Sequence, residues 1–495
     1  MRNLTLMTDL YQLTMMYGYF KLGEHKKTAV FDIFYRANGV ITYSVAAGLQ
    51  QAIDYVNNLH FGEEEISYLR SLGLFDEEFL AFLKDFRFTG TITTVKEGTL
   101  VFPQEPILTV IAPICEAQLI ETALLNIIDH QTLIATKAAK VCHAAGTGKV
   151  MEFGLRRAQG PDAGIDGARA AMIGGCSSTS NVLTGMLYGV PVSGTHSHSF
   201  VMSFKDEYTA FKAYADTFPD ACLLLVDTYD VIKSGIPNAI KVFDELKAAG
   251  HKPLGIRLDS GDLAYLSKKA RKMLDEAGYP DALICASGDL DENSITSLKS
   301  QGAKIDLWGV GTKLITSDDL PALGGVYKMS AIIENGVLTP KIKVSETSAK
   351  ITNPGWKKTY RIYDKAGMAQ ADLICLEGEE IDTSKPLTIF HPVDTWKRTT
   401  FTDYTVKPLH VTVFDHGKQV YFPPKLTEII QYAKAERATF WEEYQRFDNP
   451  EIYKVDLSQK LYDLKRELLL RYRGEGSEAQ TGTLPPAGHG ANGKH

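Results

Sequence analysis

The chain has 495 residues, enough for about three domains with large buried cores. Hydrophobic residues make up 44% of it and charged residues 23%, and the formal net charge of -7 argues against a general nucleic-acid binder. No apolar run approaches the roughly 20 residues that span a bilayer, and the N-terminus lacks a signal-peptide pattern, so we expect a cytoplasmic protein with no membrane contact. Six scattered cysteines without a CxxC pair predict reduced thiols rather than a zinc site.

The first 130 residues predict a β-rich domain with helices. DLYQLTMMYGYF (9–20) has the spacing of a helix that Asp9 would cap. AVFDIFYRA (29–37) alternates like a strand, and short β-type segments punctuated by Gly and Pro follow over 88–111. Apolar residues at three- and four-residue spacing then indicate helices up to and beyond residue 130.

Residues 131–345 predict parallel βαβ units. Short apolar runs that end in Gly, Ser, Thr or Asp alternate with amphipathic helices. Six such units in succession favour an irregular, incomplete α/β barrel as the catalytic domain. A doubly wound open sheet is the second choice, because no GxGxxG motif follows the first strand. The ends of the apolar runs are 152–160, 194–200, 223–230, 254–262, 283–291 and 305–313.

Residues 346–473 predict a β-rich and helical C-terminal appendage, with terminal helices near 425–446 and 456–473. The last stretch, 474–495, is rich in Gly, Ala and Pro and has almost nothing to bury. It predicts a disordered tail.

Charged and hydroxyl side chains gather where the predicted parallel strands end, which is where barrel enzymes place their active sites. Arginines there suit phosphate or carboxylate groups, and acidic residues suit Mg²⁺ or ribose hydroxyls. The turn 309–312 can aim backbone N–H groups at a phosphate. Together these features predict a site for a phosphorylated sugar bound with magnesium. The residues are Arg156, Arg157, Thr195, His196, His198, Asp227, Asp230, Arg257, Asp259, Asp262, Asp289, Thr312 and Lys313.

Each of these residues also has a purely structural interpretation when taken alone. A GxGT turn is more often only a turn, Asp262 suits the N-cap of the helix that follows it, and Arg156 with Arg157 suits a solvated pair. Their coincidence at corresponding points of successive units favours the functional interpretation.

The motif GTHSHSF (194–200) admits a metal hypothesis. At the end of a strand, the alternation of side chains would place His196 and His198 on one face, as in metal-dependent barrel hydrolases. A catalytic zinc needs three converging protein ligands. Between 199 and 390 the only further histidine is His251, which precedes a predicted strand and so lies at the opposite end of the barrel. The hydrolase therefore stays as the less favoured alternative.

Ten motifs together resemble the nicotinate phosphoribosyltransferase family, from about residue 5 to the terminal helices. They are TDLYQLTM (8–15), EGTLVFPQEPIL (97–108), ETALLNII (121–128), QTLIATKAAK (131–140), EFGLRRAQGPD (152–162), GTHSHSF, VDTYD (226–230), IRLDSGDL (256–263), GVGTKL (309–314) and LGGVYK (323–328). The resemblance implies condensation of nicotinate with phosphoribosyl pyrophosphate (PRPP) to nicotinate mononucleotide and pyrophosphate. It also implies coupling to ATP hydrolysis through a phosphohistidine, Mg²⁺ bound with PRPP and ATP, and a homodimer in which each barrel faces the partner's N-terminal domain.

The resemblance also implies roles for single residues. His198 takes the position of the phosphorylated histidine, whereas His196 falls on a variable position. Tyr11 corresponds to an aromatic residue that stacks on the pyridine ring across the dimer interface. Thr195 and Arg257 correspond to positions that contact nicotinate.

The remaining correspondences concern PRPP. Arg156 and Arg157 are candidates for pyrophosphate or the nicotinate carboxylate, Asp259 and Asp262 for ribose hydroxyls, and Asp259 also for Mg²⁺. Gly309, Gly311 and Thr312 match the site of the 5-phosphate. Within the same class of reaction, nicotinamide or quinolinate remain alternative acceptors.

Overall fold

The computed structural model describes residues 3–37, 39, 41–347, 350–446 and 449–473. The predicted disordered tail, 474–495, lies outside the described residues. All six cysteines are free thiols, and all but the partly buried Cys142 are buried. In the part of the chain that is described, we find no helix that is both long and apolar enough to cross a bilayer.

The first part of the chain forms helices around an antiparallel sheet. Strand β1 (Thr28–Tyr35) forms as predicted, but it is buried at seven of its eight positions, so it is covered on both faces and not on alternate positions only. The elements are α1 (Leu10–Lys21), β1 (Thr28–Tyr35), β2 (Ser44–Val45), α2 (Leu49–Asn57), α3 (Glu63–Ser71), α4 (Glu77–Lys84), β3 (Thr91–Val95), β4 (Leu100–Val101), β5 (Leu108–Pro113), α5 (Ile114–Leu119) and α6 (Glu121–Ala145).

The middle of the chain forms a parallel sheet in the order β7-β6-β11-β10-β9-β8. Its short strands are almost entirely buried and its helices are amphipathic, as parallel βαβ units require. The elements are β6 (Lys149–Glu152), α7 (Pro161–Gly174), β7 (Ser178–Thr179), α8 (Val182–Tyr188), α9 (His198–Met202), α10 (Glu207–Thr217), β8 (Leu223–Leu225), α11 (Ile236–Ala248), β9 (Gly255–Leu258), α12 (Leu263–Glu276), β10 (Leu283–Ser287), α13 (Glu292–Ser300), β11 (Leu307–Val310) and α14 (Thr312–Ile315).

The two edges of this sheet approach each other without closing. β7 is extended by an isolated parallel bridge from Thr179 to Val192. Four residues later, His196 Nε2 accepts a hydrogen bond of 3.2 Å from the backbone N–H of Leu225 in β8, at the other edge. Among the described residues no backbone ladder joins these edges. The predicted irregular, incomplete α/β barrel is confirmed.

The last part of the chain supplies a second β-rich region and the terminal helices. A four-stranded sheet has the order β18-β14-β15-β21, and α15 and α17 lie where terminal helices are predicted. The elements are β12 (Gly325–Glu334), β13 (Val337–Pro340), β14 (Lys357–Tyr363), β15 (Ala369–Leu376), β16 (Leu387–Phe390), β17 (Arg398–Phe401), β18 (Thr405–Pro408), β19 (His410–Asp415), β20 (Lys418–Gln419), α15 (Leu426–Arg437), α16 (Glu442–Gln445), β21 (Val455–Leu457) and α17 (Gln459–Arg473).

The N-terminal sheet draws strands from distant parts of the chain. Its order is β13-β12-β1-β5-β3-β19-β20, so it includes segments from the ranges assigned by sequence to the barrel and to the appendage. Helix α6 also runs without a break through the proposed boundary at residue 130. The consecutive ranges 1–130, 131–345 and 346–473 therefore do not delimit these sheets, because strand pairing is non-local and leaves no periodicity in the sequence.

A buried ion pair ties the barrel to the N-terminal part. Arg169 of α7 donates to both carboxylate oxygens of Glu97 at 2.7 Å, and both side chains are almost inaccessible. Glu97 also accepts the backbone N–H groups of Gly48 and Leu49 at the start of α2. One bidentate pair thus fixes α7 against α2.

Candidate active site

The carboxyl ends of neighbouring parallel strands bring several predicted site residues together around Arg257. Its guanidinium, on β9, donates to Ser287 Oγ at 2.8 Å, to Thr195 Oγ1 at 2.8 Å and to Asp259 Oδ1 at 2.7 Å. It also lies 5.7 Å from the centroid of the Phe153 ring. The guanidinium is therefore held in one orientation by groups at the ends of three strands and of the segment that follows β7.

Asp259 is the acidic member of this cluster. Burial disfavours its charge, but the hydrogen bond from Ser287 and the charge of Arg257 together hold the pKa of Asp259 below its ordinary value. The bonds from Arg257 and Ser287 both use Oδ1, and the side chain is 28% exposed. Asp259 is thus an ionised carboxylate with Oδ2 available to a ligand.

His198 is in hydrogen-bonding contact with Asp227. His198 Nε2 lies 3.1 Å from Asp227 Oδ1, and the histidine is 40% exposed whereas the aspartate is 1% exposed. The other oxygen of Asp227 accepts the backbone N–H of Asp259 at 3.1 Å and Ser260 Oγ at 2.5 Å. A fixed, buried carboxylate therefore orients an accessible imidazole, as in sites where a histidine acts as nucleophile or base.

His196 has a different environment, and the predicted strand end for the two histidines is wrong. His196 lies in a loop and His198 is the first residue of α9, so strand alternation does not place their rings together. His196 Nε2 is occupied by the Leu225 N–H, and its ring packs among Phe200, Phe211 and Tyr214. Burial lowers the pKa of His196 to about 4.

The two histidines therefore do not form a metal pair. Nε2 of His196 accepts the Leu225 N–H, and its Nδ1 lies 3.4 Å from the carbonyl oxygen of Ser197. Among the described residues, no group of three or more His, Cys, Asp or Glu side chains could hold a metal ion. The arrangement disfavours the metal-dependent hydrolase, which requires three converging ligands.

The paired arginines occupy a turn after β6. Arg156 and Arg157 form a 3₁₀ turn with Leu155, and both are exposed. The buried Glu152 accepts the Gly154 N–H and Thr179 Oγ1, which anchors the start of this turn. Burial raises the pKa of Glu152, against the hydrogen bond from Thr179. Glu152 therefore positions the turn, and the arginines remain available to an anion.

The glycine turn follows β11, next to the same cluster. A Cβ at Gly309 would lie 2.8 Å from the Phe153 ring, and one at Gly311 would lie 3.2 Å from the Phe153 carbonyl oxygen. Close backbone packing therefore requires small residues here. Thr312 begins the short helix α14 and is exposed, so its hydroxyl and the adjacent N–H groups can reach a ligand.

Two predicted residues have contacts outside this cluster. Tyr11 is 47% exposed on α1, where its neighbours are Gln12 and Glu121. Burial, followed by the charge of Glu121, raises the pKa of Tyr11. Asp262 accepts the Tyr265 N–H at 2.9 Å and is the N-cap of α12, which accounts for its carboxylate without a ligand.

Two residues of the cluster, Ser287 and Phe153, are absent from the predicted site, and Asp227 is predicted there without a partner. The contact of Asp227 with His198 joins positions 29 residues apart. Ser287 ends β10 beside Arg257, and Phe153 follows β6. The rule that strand ends converge points to Asp227 and Ser287, but nothing in the sequence gives their distances.

Comparison with known proteins places the chain in a family. Residues 6–129, 148–363 and 356–465 match the N-terminal domain, the family profile and the C-terminal domain of nicotinate phosphoribosyltransferase (NAPRTase). The nicotinate phosphoribosyltransferase of Bacillus subtilis is 50% identical over 94% of this chain and 95% of its own, and that of Homo sapiens is 32% identical over 94% and 96%.

A solved structure extends the similarity to the fold. The crystal structure of human nicotinic acid phosphoribosyltransferase superposes with a TM-score of 0.81 and 30% identity, covering 93% of this chain and 99% of the other. The similarity therefore spans the N-terminal sheet, the incomplete barrel and the appendage. The chain belongs to the nicotinate phosphoribosyltransferase family.

Proposed function

We propose that the protein condenses nicotinate with PRPP to nicotinate mononucleotide and pyrophosphate, coupled to ATP hydrolysis through phosphorylated His198. The observation that carries the proposal is the orientation of Arg257 by Thr195, Ser287 and Asp259 beside the His198–Asp227 pair. Family membership supports the same reaction.

Arg257 recognises the nicotinate carboxylate. A guanidinium has five N–H groups, and three of them are used by the fold, which leaves two for a carboxylate. Two N–H groups of a partly buried cation favour the acid over the uncharged amide, because a carboxylate offers them two charged oxygens and the amide only one neutral oxygen. Thr195 shares in this contact through its hydroxyl, and the exposed Tyr11 of the partner subunit covers the pyridine ring.

His198 carries the phosphoryl group. The bond to Asp227 fixes the proton on Nε2, which leaves the lone pair of Nδ1 as the nucleophile. Nδ1 attacks the γ-phosphorus of ATP, the bond to the β-phosphate oxygen breaks, and ADP leaves. Later hydrolysis of the N–P bond restores the imidazole. The added charge of about -2 beside the pyrophosphate changes the affinity for PRPP and product.

The remaining residues bind PRPP. Arg156 and Arg157 pair with the pyrophosphate, the turn 309–312 takes the 5-phosphate, and Asp259 faces the ribose hydroxyls. The carboxylate of Asp262 already caps α12, so a ribose contact by Asp262 is the less favoured assignment. Asp259 Oδ2 also fits as the single carboxylate that Mg²⁺ takes when substrate phosphates supply its other ligands. When bound, Mg²⁺ supplies positive charge to the departing pyrophosphate. The pyridine nitrogen has no proton to lose, so positioning rather than a general base carries the transfer.

The protein acts as a homodimer in the cytoplasm. Two exposed apolar faces support the dimer. They are Val182, Leu183, Met186 and Leu187 on α8, which follows the carboxyl end of β7, and Leu10, Tyr11 and Met15 on α1. Exposed apolar faces of this kind mark association surfaces. If each covers the other on a partner, Tyr11 reaches the neighbouring barrel.

The proposal is tested by incubating the protein with Mg²⁺, ATP, PRPP and nicotinate, and by assaying nicotinate mononucleotide and ADP. We expect His198→Ala to abolish stimulation by ATP while some ATP-independent turnover remains. His251→Ala is the matched control, since His251 also contacts an aspartate, Asp220 at 2.9 Å, but precedes β9 at the opposite end of the barrel. Full ATP coupling in His198→Ala, or its loss only in His196→Ala, refutes the assignment.

The same assay separates the acceptors. Replacing nicotinate by nicotinamide or quinolinate should reduce the rate, because the amide offers Arg257 no charged oxygen and quinolinate brings a second carboxylate. Equal rates with nicotinamide would contradict the role of Arg257. Turnover without PRPP would favour a hydrolase instead.

A further inference from the structure

Lys137 is a buried cation outside the cluster around Arg257. It lies in the middle of α6 with a side chain that is 3% exposed. Its ammonium group donates to Glu292 at 3.0 Å and to Asp319 Oδ1 at 2.9 Å, and Asp318 lies 3.7 Å away. The lysine therefore joins three separate segments of the chain through charged contacts.

Those segments flank the glycine turn. Glu292 is the first residue of α13, which follows β10, and Asp319 follows α14, which the turn 309–312 opens. Lys137 thus connects the loops after β10 and β11 at the carboxyl edge of the sheet. Any shift of α14 relative to α13 would stretch one of these contacts.

A second ion pair links the same two loops. Lys313, the second residue of α14, donates to Asp291 Oδ2 at 2.7 Å, and Asp291 is the N-cap of α13. Asp291 and Glu292 are adjacent, so Lys313 and Lys137 hold the start of α13 from two sides. The helix that carries Thr312 is therefore fixed at its beginning and just beyond its end.

The backbone on both sides of α14 is also constrained. Ser317 is buried and has a φ of 44°, a left-handed conformation that costs free energy in a residue with a side chain. Before α14, a Cβ at Gly309 would lie 2.8 Å from Phe153 and one at Gly311 would lie 3.2 Å from it, so the backbone packs closely there. A buried ion pair is a poor source of net stability compared with apolar side chains. The positioning of the two loops therefore explains a lysine at this buried position better than stability does.

We propose that Lys137 is a positioning residue for the sugar phosphate: through Glu292 and Asp319 it holds the turn 309–312 where it accepts the 5-phosphate of PRPP. The inference rests on the proposed function, because it assigns that phosphate to the turn. Lys137 does not touch the substrate. Its loss displaces the phosphate site and leaves the nicotinate contacts of Arg257 in place.

The test compares Lys137→Met with the double variant Lys137→Met/Glu292→Gln. The single variant leaves a buried carboxylate unpaired and should unfold at a lower temperature, whereas the double variant removes both charges and should recover stability. In both variants we expect the KM for PRPP to rise about tenfold, with the KM for nicotinate within about twofold of wild type. Calorimetric titration with ribose 5-phosphate should show the same loss of affinity.

The matched control is Lys299→Met. Lys299 also joins α13 to α6, by donating to the carbonyl oxygens of Ala144 and Ala145, but it does so at the far end of both helices. It should change neither KM nor ribose 5-phosphate affinity. A wild-type KM for PRPP in the double variant, or an equal rise in the KM for nicotinate, overturns the proposal.

Failure of the proposed function would be visible separately. If the wild-type protein makes no nicotinate mononucleotide, that function fails, and the ribose 5-phosphate titration alone decides the present proposal. Equal affinity in wild type and double variant, or no binding by wild type, then overturns it.

Discussion

His196 and His198 are two residues apart, yet one is built into the fold and the other is free to react. The ring of His196 fills an aromatic pocket, and its Nε2 accepts a backbone N–H, so a proton on that nitrogen would break a bond. The ring of His198 is partly exposed and is held only through Nε2. The residue type is the same, so burial and the hydrogen-bond partner of Nε2 separate their chemistry.

This difference predicts how stability depends on pH. Burial lowers the pKa of folded His196 to about 4, whereas a solvated histidine has its ordinary pKa of 6.5, so the unfolded chain binds the proton first as the pH falls. The stabilisation is complete above pH 6.5 and is lost between pH 6.5 and 4, by up to about 3 kcal/mol. His196→Gln keeps an acceptor near the Nε2 position but does not titrate, so its stability should fall less over that range.

Urea unfolding of the wild type and His196→Gln at several values between pH 4.5 and 7.5 measures the effect. The difference between the two proteins removes the contribution that the carboxylates make to the pH dependence of the free energy of unfolding, since they titrate in both. Parallel pH profiles would contradict the lowered pKa. The variant should also keep its response to ATP, which His198→Ala loses.

At the scale of elements, the sequence predicts what is local. Apolar periodicity locates α1, β1 and the strands β8 to β11, and each of those parallel strands ends near charged residues as expected. The strand predicted before GTHSHSF does not form. Pro191 has no N–H to donate to a ladder, and the segment contributes only an isolated bridge at Val192.

The site shows the same division. The strand ends with Arg257 and Asp259 could be read from the sequence, but the contact of His198 with Asp227 and the bonds of Arg257 to Ser287 and Thr195 depend on the sheet order. That order places β9 between β8 and β10, and no local pattern encodes it. Lys137 gives even less signal, because a lysine in a helix is normally a solvent-facing residue.

Helix α12 allows the two interpretations of Asp262 to be separated. Asp262→Ala removes the bond to the Tyr265 N–H and should lower the free energy of unfolding by about 1 kcal/mol. Asp262→Ser restores a capping oxygen but shortens the side chain and removes its charge. If Asp262 only caps the helix, the serine variant keeps both its stability and its KM for PRPP, and this is the outcome that the geometry favours.

Thermal unfolding and initial rates over a range of PRPP concentrations measure the two quantities. A stable Asp262→Ser protein with a clearly raised KM for PRPP would support the ribose contact instead. Asp262→Asn, which also caps helices, is a control for loss of charge alone.

At the scale of the whole molecule, the predicted dimer makes each site depend on two chains. We expect Tyr11→Ala and Arg257→Ala to be inactive or nearly so as homodimers. A hybrid dimer contains one Tyr11→Ala chain and one Arg257→Ala chain. If Tyr11 reaches the partner's barrel, one of its two sites carries both changes and the other carries neither. Doubly tagged hybrids should therefore recover about half of the wild-type activity.

The hybrid is made by co-expressing two differently tagged chains and purifying over both tags. If Tyr11 instead contributed to the barrel of its own chain, each site of the hybrid would carry one of the two substitutions. No activity would then be recovered. Each homodimer, purified in the same way, is the baseline. A wild-type hybrid with the same two tags sets the upper limit.

The sheet around β1 has a consequence for how the chain is made. β1 pairs with β12, and β3 pairs with β19, so strands near the start of the chain find partners that lie some 300 positions later. During translation, β1 and β3 must wait until β12 and β19 have left the ribosome, and their unpaired edges stay open to wrong partners meanwhile. A nascent chain released before β19 would lack one side of this sheet, however well its barrel had formed.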